Sequence, residues 1–167
     1  LQRNIFDPLD MRDTSFAVPD DKLNRFAANH VSRGGTLTVV DAPETSHFRT
    51  MPAFQSGGGG LLGTARDYVR FCQMLLNGGE LSGKRLLTQK SVDEMTRNQL
   101  PDSAYPMKIG GIKRPGVGFG LGVSVIEEPI PFAEFVPVGE YGWGGVACTH
   151  FWISPKHETA VVVLSQH

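Results

Sequence analysis

Cysteine is scarce in this chain, and each of the two thiols excludes something. Cys72 and Cys148 cannot build a disulfide framework, and their spacing fits no zinc site. Both read as small core residues. None of the five histidines falls in an HExxH pattern: His150 and His157 are seven apart across a turn. No metal site and no cofactor are expected. Charge of one sign is missing too. Sixteen basic and seventeen acidic side chains leave a formal net charge of -1, with no Lys/Arg run, which argues against nucleic acid and acidic lipid as partners. Long apolar runs are absent, so no membrane span is expected. No signal sequence stands at this end, where the first residue is Leu1, and the start reads as a piece cut from a longer polypeptide. The compartment, cytoplasmic or exported, is not readable.

Several motifs fail on context. Gly58, Gly60 and Gly63 spell GxGxxG, but PAFQS precedes them in place of a buried strand and no βαβ unit follows. Gly78, Gly83 and Lys84 spell GxxxxGK, yet Arg85 stands where a Ser or Thr should hold magnesium. There is no GxSxG elbow, and no serine has a lysine three residues later. The chain lacks an evident activated nucleophile of its own.

What the sequence has is one domain's worth of ordered grammar: 167 residues, 40% hydrophobic and 20% charged. The first part, 1–100, reads as loops and helices. Asp7 precedes Pro8 and is expected outside helical geometry. From Pro19 to Pro52 the chain reads mostly as loop, with one short strand, Thr36 to Val40, after a Gly34–Gly35 turn. Thr64 is an N-cap for a helix, with Asp67 as a capping-box-like carboxylate. Tyr68, Phe71, Cys72, Leu75 and Leu76 then recur at helical spacing, and Asn77, Gly78 and Gly79 stop it. A second helix is expected over Gln89 to Arg97, capped by Thr88, with Val92 and Met95 inward.

The second part, 101–167, turns to strands. GVGFGLGVSVIEE, FVPVGEYGW, VACTHFWIS and ETAVVVLSQ are four β-rich runs, the last two joined by a tight turn at Ser154 to His157. The expected fold class is α+β, an antiparallel meander with flanking helices. VVVL, Val161 to Leu164, is apolar on both faces and calls for cover on each side. One oddity remains: Trp143 is followed by Gly144 and Gly145 inside a strand-forming run, and glycine in a strand marks a bulge or a close approach to the backbone.

Taken in order, these blocks resemble the C-terminal half of the serine β-lactamase and penicillin-binding-protein superfamily, in its class C-like branch with the family VIII carboxylesterases. IFDPLDMRDTSF is similar to that branch's I-x-x-PLGM-x-DT-x-F segment. GGGGLLGTARDYVRFCQMLLNGG is similar to its GGGL-x-ST-x-x-D helix, and YGWGGVACTHFWISP to its third catalytic motif. Asp10 stands where the branch has Gly, Gly63 where it has Ser, and Cys148 where it often has Gly. The resemblance implies a β-lactamase/transpeptidase-like fold and an acyl-enzyme mechanism on an ester, amide or β-lactam. Its nucleophile would be an SxxK serine assisted by a tyrosine, both carried on sequence preceding Leu1; the isolated chain is expected to be inactive.

Residue by residue, the resemblance makes Trp143, Gly144 and Gly145 the third motif, WGG in place of KTG. The backbone N–H of Val146 becomes an oxyanion donor. Gly144 and Gly145 are expected to leave the strand edge free of side chains, and Tyr141, on the same strand face as Trp143, either to line the cleft or to serve in ordinary packing. Trp in place of Lys removes the cation that would attract a β-lactam carboxylate, favouring neutral acyl donors. The alternative is a non-catalytic module that binds a ligand or partner. The resemblance also implies that the strand at Ala160 to Leu164 pairs with N-terminal sequence of the same protein. Left unpaired, that edge invites self-association.

Overall fold

A computed structural model describes residues 1–131 and 133–167. The chain opens with a single π-turn, Gln2–Phe6, whose Leu1 carbonyl accepts from the Ile5 N–H at 2.8 Å. Asp7 departs from expectation by sitting in the right-handed helical region, φ -63° and ψ -47°. Its N–H donates to the Gln2 carbonyl and its carboxylate accepts from the Gln2 amide, so local bonds outweigh the clash with Pro8. This turn drives Phe6, Leu9 and Met11 into the core.

A 3-10 turn, Asp20–Arg25, leads to a hairpin of β1 (Asn29–Arg33) and β2 (Thr36–Asp41), paired antiparallel across the Gly34–Gly35 turn. β2 was expected. β1, the polar NHVSR, was not, because backbone pairing and not a buried face makes it a strand.

Helix α1 (Ala65–Leu76) begins where expected, with Thr64 Oγ1 accepting from the Asp67 N–H at 3.2 Å. It ends in a Schellman arrangement: Gly79 N–H donates to the Met74 carbonyl and Gly78 N–H to that of Leu75. Cys72 and Leu75 face the sheet side of the core, with Phe71 and Leu76 packed around them, and the Tyr68 ring lies 5.2 Å from Phe151. A second stripe of α1 was not foreseen. The Asp67 carboxylate does not close a capping box. Its Oδ2 accepts from the Asp13 N–H at 2.7 Å and the Thr14 hydroxyl at 2.8 Å, while Arg70 Nε donates to the Leu9 carbonyl. Asp67 and Arg70 thus add polar ties to the N-terminal segment beside the apolar face of the helix.

A small hairpin follows, β3 (Glu80–Leu81) with β4 (Lys84–Arg85), and then α2 (Gln89–Met95), capped by Thr88 and buried at Val92. A second small hairpin pairs β5 (Lys108–Ile109) with β6 (Ile112–Lys113). The remaining strands are β7 (Val117–Phe119), β8 (Ser124–Ile126), β9 (Tyr141–Gly144), β10 (Thr149–Ser154) and β11 (Thr159–Leu164). They form a five-stranded antiparallel meander in the order β11-β10-β9-β8-β7. Two details differ from the sequence reading: GVGFGLGVSVIEE folds back on itself as two strands, and 135–140 is a turn preceding β9.

Register explains the core. Tyr141 opposes Ile153 and Val125, Trp143 opposes Phe151, and Ile153 opposes Ala160, so these residues share one face, and α1 packs on β10 and β11. Ile153 is fully buried there. Along β11, Ala160 and Val162 pack against this core, whereas Val163 and Leu164 stay exposed. The double cover expected for VVVL is present on one side among the described residues. No helix in those residues is long and apolar enough to cross a membrane.

Candidate active site

The WGG segment lies at the end of β9 and runs into the turn that leads to β10. Gly144 opposes His150, and the Gly145 N–H donates to the Thr149 carbonyl at 2.7 Å. Peptide groups on a strand alternate sides. The N–H and C=O of residues 141, 143 and 145 therefore face β10, and those of 142 and 144 face the other way. The Gly142 carbonyl does so, accepting from the Ser124 hydroxyl at 2.8 Å.

On that other side, β8 pairs with β9 only at Val125 with Tyr141 and Ser124 with Gly142. Among the described residues, no strand pairs with this edge beyond Gly142. Its openness comes from β8 ending at Ser124. The glycines have a different job from the one expected of them: a methyl at Gly144 would fall 2.5 Å from the His150 ring, and one at Gly145 2.5 Å from Thr149 Oγ1. They make room on the sheet face for cross-strand neighbours. A side chain projects from the face of a sheet and not from its edge.

Val146 is fully exposed. The Gly145 carbonyl accepts from the Cys148 N–H at 3.1 Å, closing a turn over 145–148. In a trans peptide the N–H points opposite to the C=O, so the Val146 N–H is aimed out of this turn, on the side of β9 away from β10. No acceptor among the described residues receives it. Cys148, at φ +52°, occupies the left-handed region, as does Asp10 at φ +54°. Both are places where the resemblance expects glycine, and the backbone keeps a glycine-like conformation at each.

Trp143 is 39% exposed, and its indole meets the Phe119 ring edge-on, with centroids 5.1 Å apart and planes at 77°. Sequence reasoning passed over Phe119; only the β7–β8–β9 order brings it close. Tyr141 needs a correction. It is 4% exposed and part of the core cluster, and burial, with Cys72 nearby, raises its phenol pKa well above the ordinary value of 10.0. With its side chain sealed in the core, unlike that of Trp143 two residues on, it lines no cleft among the described residues. The surface depression lined by Leu1, Phe6, Phe16 and Met51 lies at the N-terminal segment, apart from WGG.

A family model described as Beta-lactamase matches residues 1–167, the whole chain. The chain belongs to the beta-lactamase family. Protein Rv1367c of Mycobacterium tuberculosis (strain ATCC 25618 / H37Rv) is 32% identical over 171 residues, covering 100% of this chain and 42% of that protein. Among solved structures, EstCE1, described as a hydrolase with promiscuous acyltransferase activity, superposes with a TM-score of 0.79 at 23% identity, over 99% of this chain and 44% of that one. A LovD6 mutant of simvastatin synthase from Aspergillus terreus gives a TM-score of 0.78 at 25% identity, over 99% of this chain and 43% of its own. The chain therefore spans less than half the length of these relatives, and its antiparallel sheet with helices is the C-terminal part of the beta-lactamase-like fold.

Proposed function

We propose that this chain supplies the oxyanion-side strand of a serine hydrolase of neutral acyl donors, esters ahead of amides and β-lactams. The observation that carries this reading is the Val146 N–H, aimed outward beside the unpaired edge of β9, in a beta-lactamase family chain. The nucleophilic serine, with its lysine and tyrosine, belongs to the N-terminal part of the same protein. Its hydroxyl oxygen bonds the acyl carbon, the hydroxyl proton passes through Lys and Tyr to the departing alcohol, and water then releases the acid. Negative charge develops on the carbonyl oxygen during each step, and the Val146 N–H meets it there. Trp143, Gly144 and Gly145 border the acyl group, and no lysine stands at the motif to attract a carboxylate. The outer edge of β11 receives a strand from that same N-terminal part; without it, the chain self-associates and hydrolyses no ester.

The test deletes one hydrogen. Val146 is the second residue of the turn closed by Cys148, a place that accepts proline, so Val146→Pro removes the donor while keeping the turn. In the complete polypeptide, kcat on p-nitrophenyl acetate should fall by about a hundredfold or more, worth about 3 kcal/mol. Val146→Ala should leave it unchanged, since that side chain is in solvent. Full activity in a folded Val146→Pro protein would refute the donor.

A further inference from the structure

We propose that Phe119 sets acyl-chain selectivity, acting as the specificity-determining partner of Trp143. This rests on the reading above, that the acyl group lies along the open edge after Gly142. Phe119 opposes Ser124, and Ser124 opposes Gly142, so the β7–β8 turn at 120–123 begins where the β8–β9 pairing stops. Phe119 and Trp143 meet on this side of the edge, neither of them charged; Trp143 is part-exposed, and Leu121 in the adjoining turn is exposed. An apolar acyl chain is the substituent that gains by leaving water against such a wall.

Phe119 is built in more firmly than an edge-strand residue needs to be. Asn98, in the segment after α2, accepts at Oδ1 from the Phe119 N–H at 3.0 Å and from the Leu100 N–H at 3.1 Å. The Gln99 N–H donates to the Phe119 carbonyl at 2.8 Å. Asn98 also fills the space a side chain at position 118 would take: a methyl on Gly118 would lie 2.6 Å from its amide. The backbone of Phe119 is therefore clamped on both polar groups, and its ring holds the indole at 77°. Trp143 alone at a strand end has several rotamers open to it; braced by Phe119 it offers one fixed wall.

The experiment compares p-nitrophenyl hexanoate with p-nitrophenyl acetate in the complete polypeptide, reading the ratio of their kcat/KM values. An edge-to-face aromatic contact is worth enough that Phe119→Ala should lower the hexanoate-to-acetate ratio by about fivefold, mostly through KM for hexanoate. Phe119→Tyr, which keeps the ring, should retain the ratio. A purely structural loss would lower both esters together and leave the ratio alone. Should Phe119→Ala fail to fold, Phe119→Leu keeps apolar bulk without the ring and is read in the same way. An unchanged ratio in a folded variant overturns the role of Phe119 while the proposed hydrolase stands. Hydrolysis of neither ester by the unaltered protein overturns the proposed function, and this assignment with it.

Discussion

The two ends of this chain use apolar residues in opposite ways. In the meander, alternation puts Val125, Tyr141 and Ile153 on one face and α1 on top of them. In the β1–β2 hairpin, Leu37, Val39 and Val40 are each at least half exposed, Leu37 by 61%, although TLTVV is as good a strand sequence as any in the sheet. Both segments are strands, but only one has a second layer. A strand pattern therefore predicts pairing and leaves cover to tertiary context. The N-terminal segment has both kinds of tie: Phe6, Leu9 and Met11 join the core, and beside them Asp13 and Thr14 are held to α1 by polar bonds to Asp67.

The strongest way to sharpen this contrast is a pair of truncations. Ile153→Ala empties a fully buried site beneath α1 and should cost about 3 kcal/mol in urea unfolding. Leu37→Ala, the same chemical change in the hairpin, should stay within about 0.5 kcal/mol. Equal losses at the two positions would mean that the hairpin is covered in solution and that the contrast is false.

Next in size is the clasp. Asp67→Ala strands the Asp13 N–H and the Thr14 hydroxyl, two donors that meet its carboxylate at 2.7 and 2.8 Å in a buried setting. About 2 kcal/mol should be lost. Hydrogen exchange should speed up around residues 13–15 before it does in β10. Uniform acceleration through the sheet would show that the clasp and the core unfold as one unit.

This clasp also marks how far local sequence reasoning reaches. Thr64, the 3.6-residue spacing and the Asn77–Gly79 stop specify α1 because caps and periodicity act within a few residues. β10 and β11 were legible for the same reason, their turn at Pro155 being short. Asp67 looked like a capping-box carboxylate, and a partner 54 residues away took it. Phe119 beside Trp143, the burial of Tyr141 and the His150 ring over Gly144 all depend on strand order, which no local pattern encodes. The WGG tripeptide itself was legible, but the reason its edge is open, the early end of β8, was not.

Titration should separate the two regions most finely. Hydrogen bonds from Lys22 and Arg25 to the Asp13 carboxylate, at 2.6 and 3.0 Å, lower its pKa below the ordinary 3.8. Its contribution is present above the unfolded value and is lost as pH falls below about 3.8 toward the folded one. Burial in the core pushes the Cys72 thiol from 9.0 up to about 12. A raised pKa works the other way: the stability is whole below 9.0 and drains as pH rises toward 12, with Tyr141 adding to the loss above 10.0. Acid should therefore loosen residues 12–25 first, and alkali the α1–sheet core. Exchange rates at pH 3 and pH 10.5 on the same sample would show it. Cys72→Ala should delay the onset of the alkaline loss from about pH 9 to about pH 10, because Tyr68 and Tyr141, whose phenols burial raises from 10.0, then remain to titrate. An alkaline onset that ignores this substitution would place the sensitive group outside the core and remove the charge-based half of the contrast.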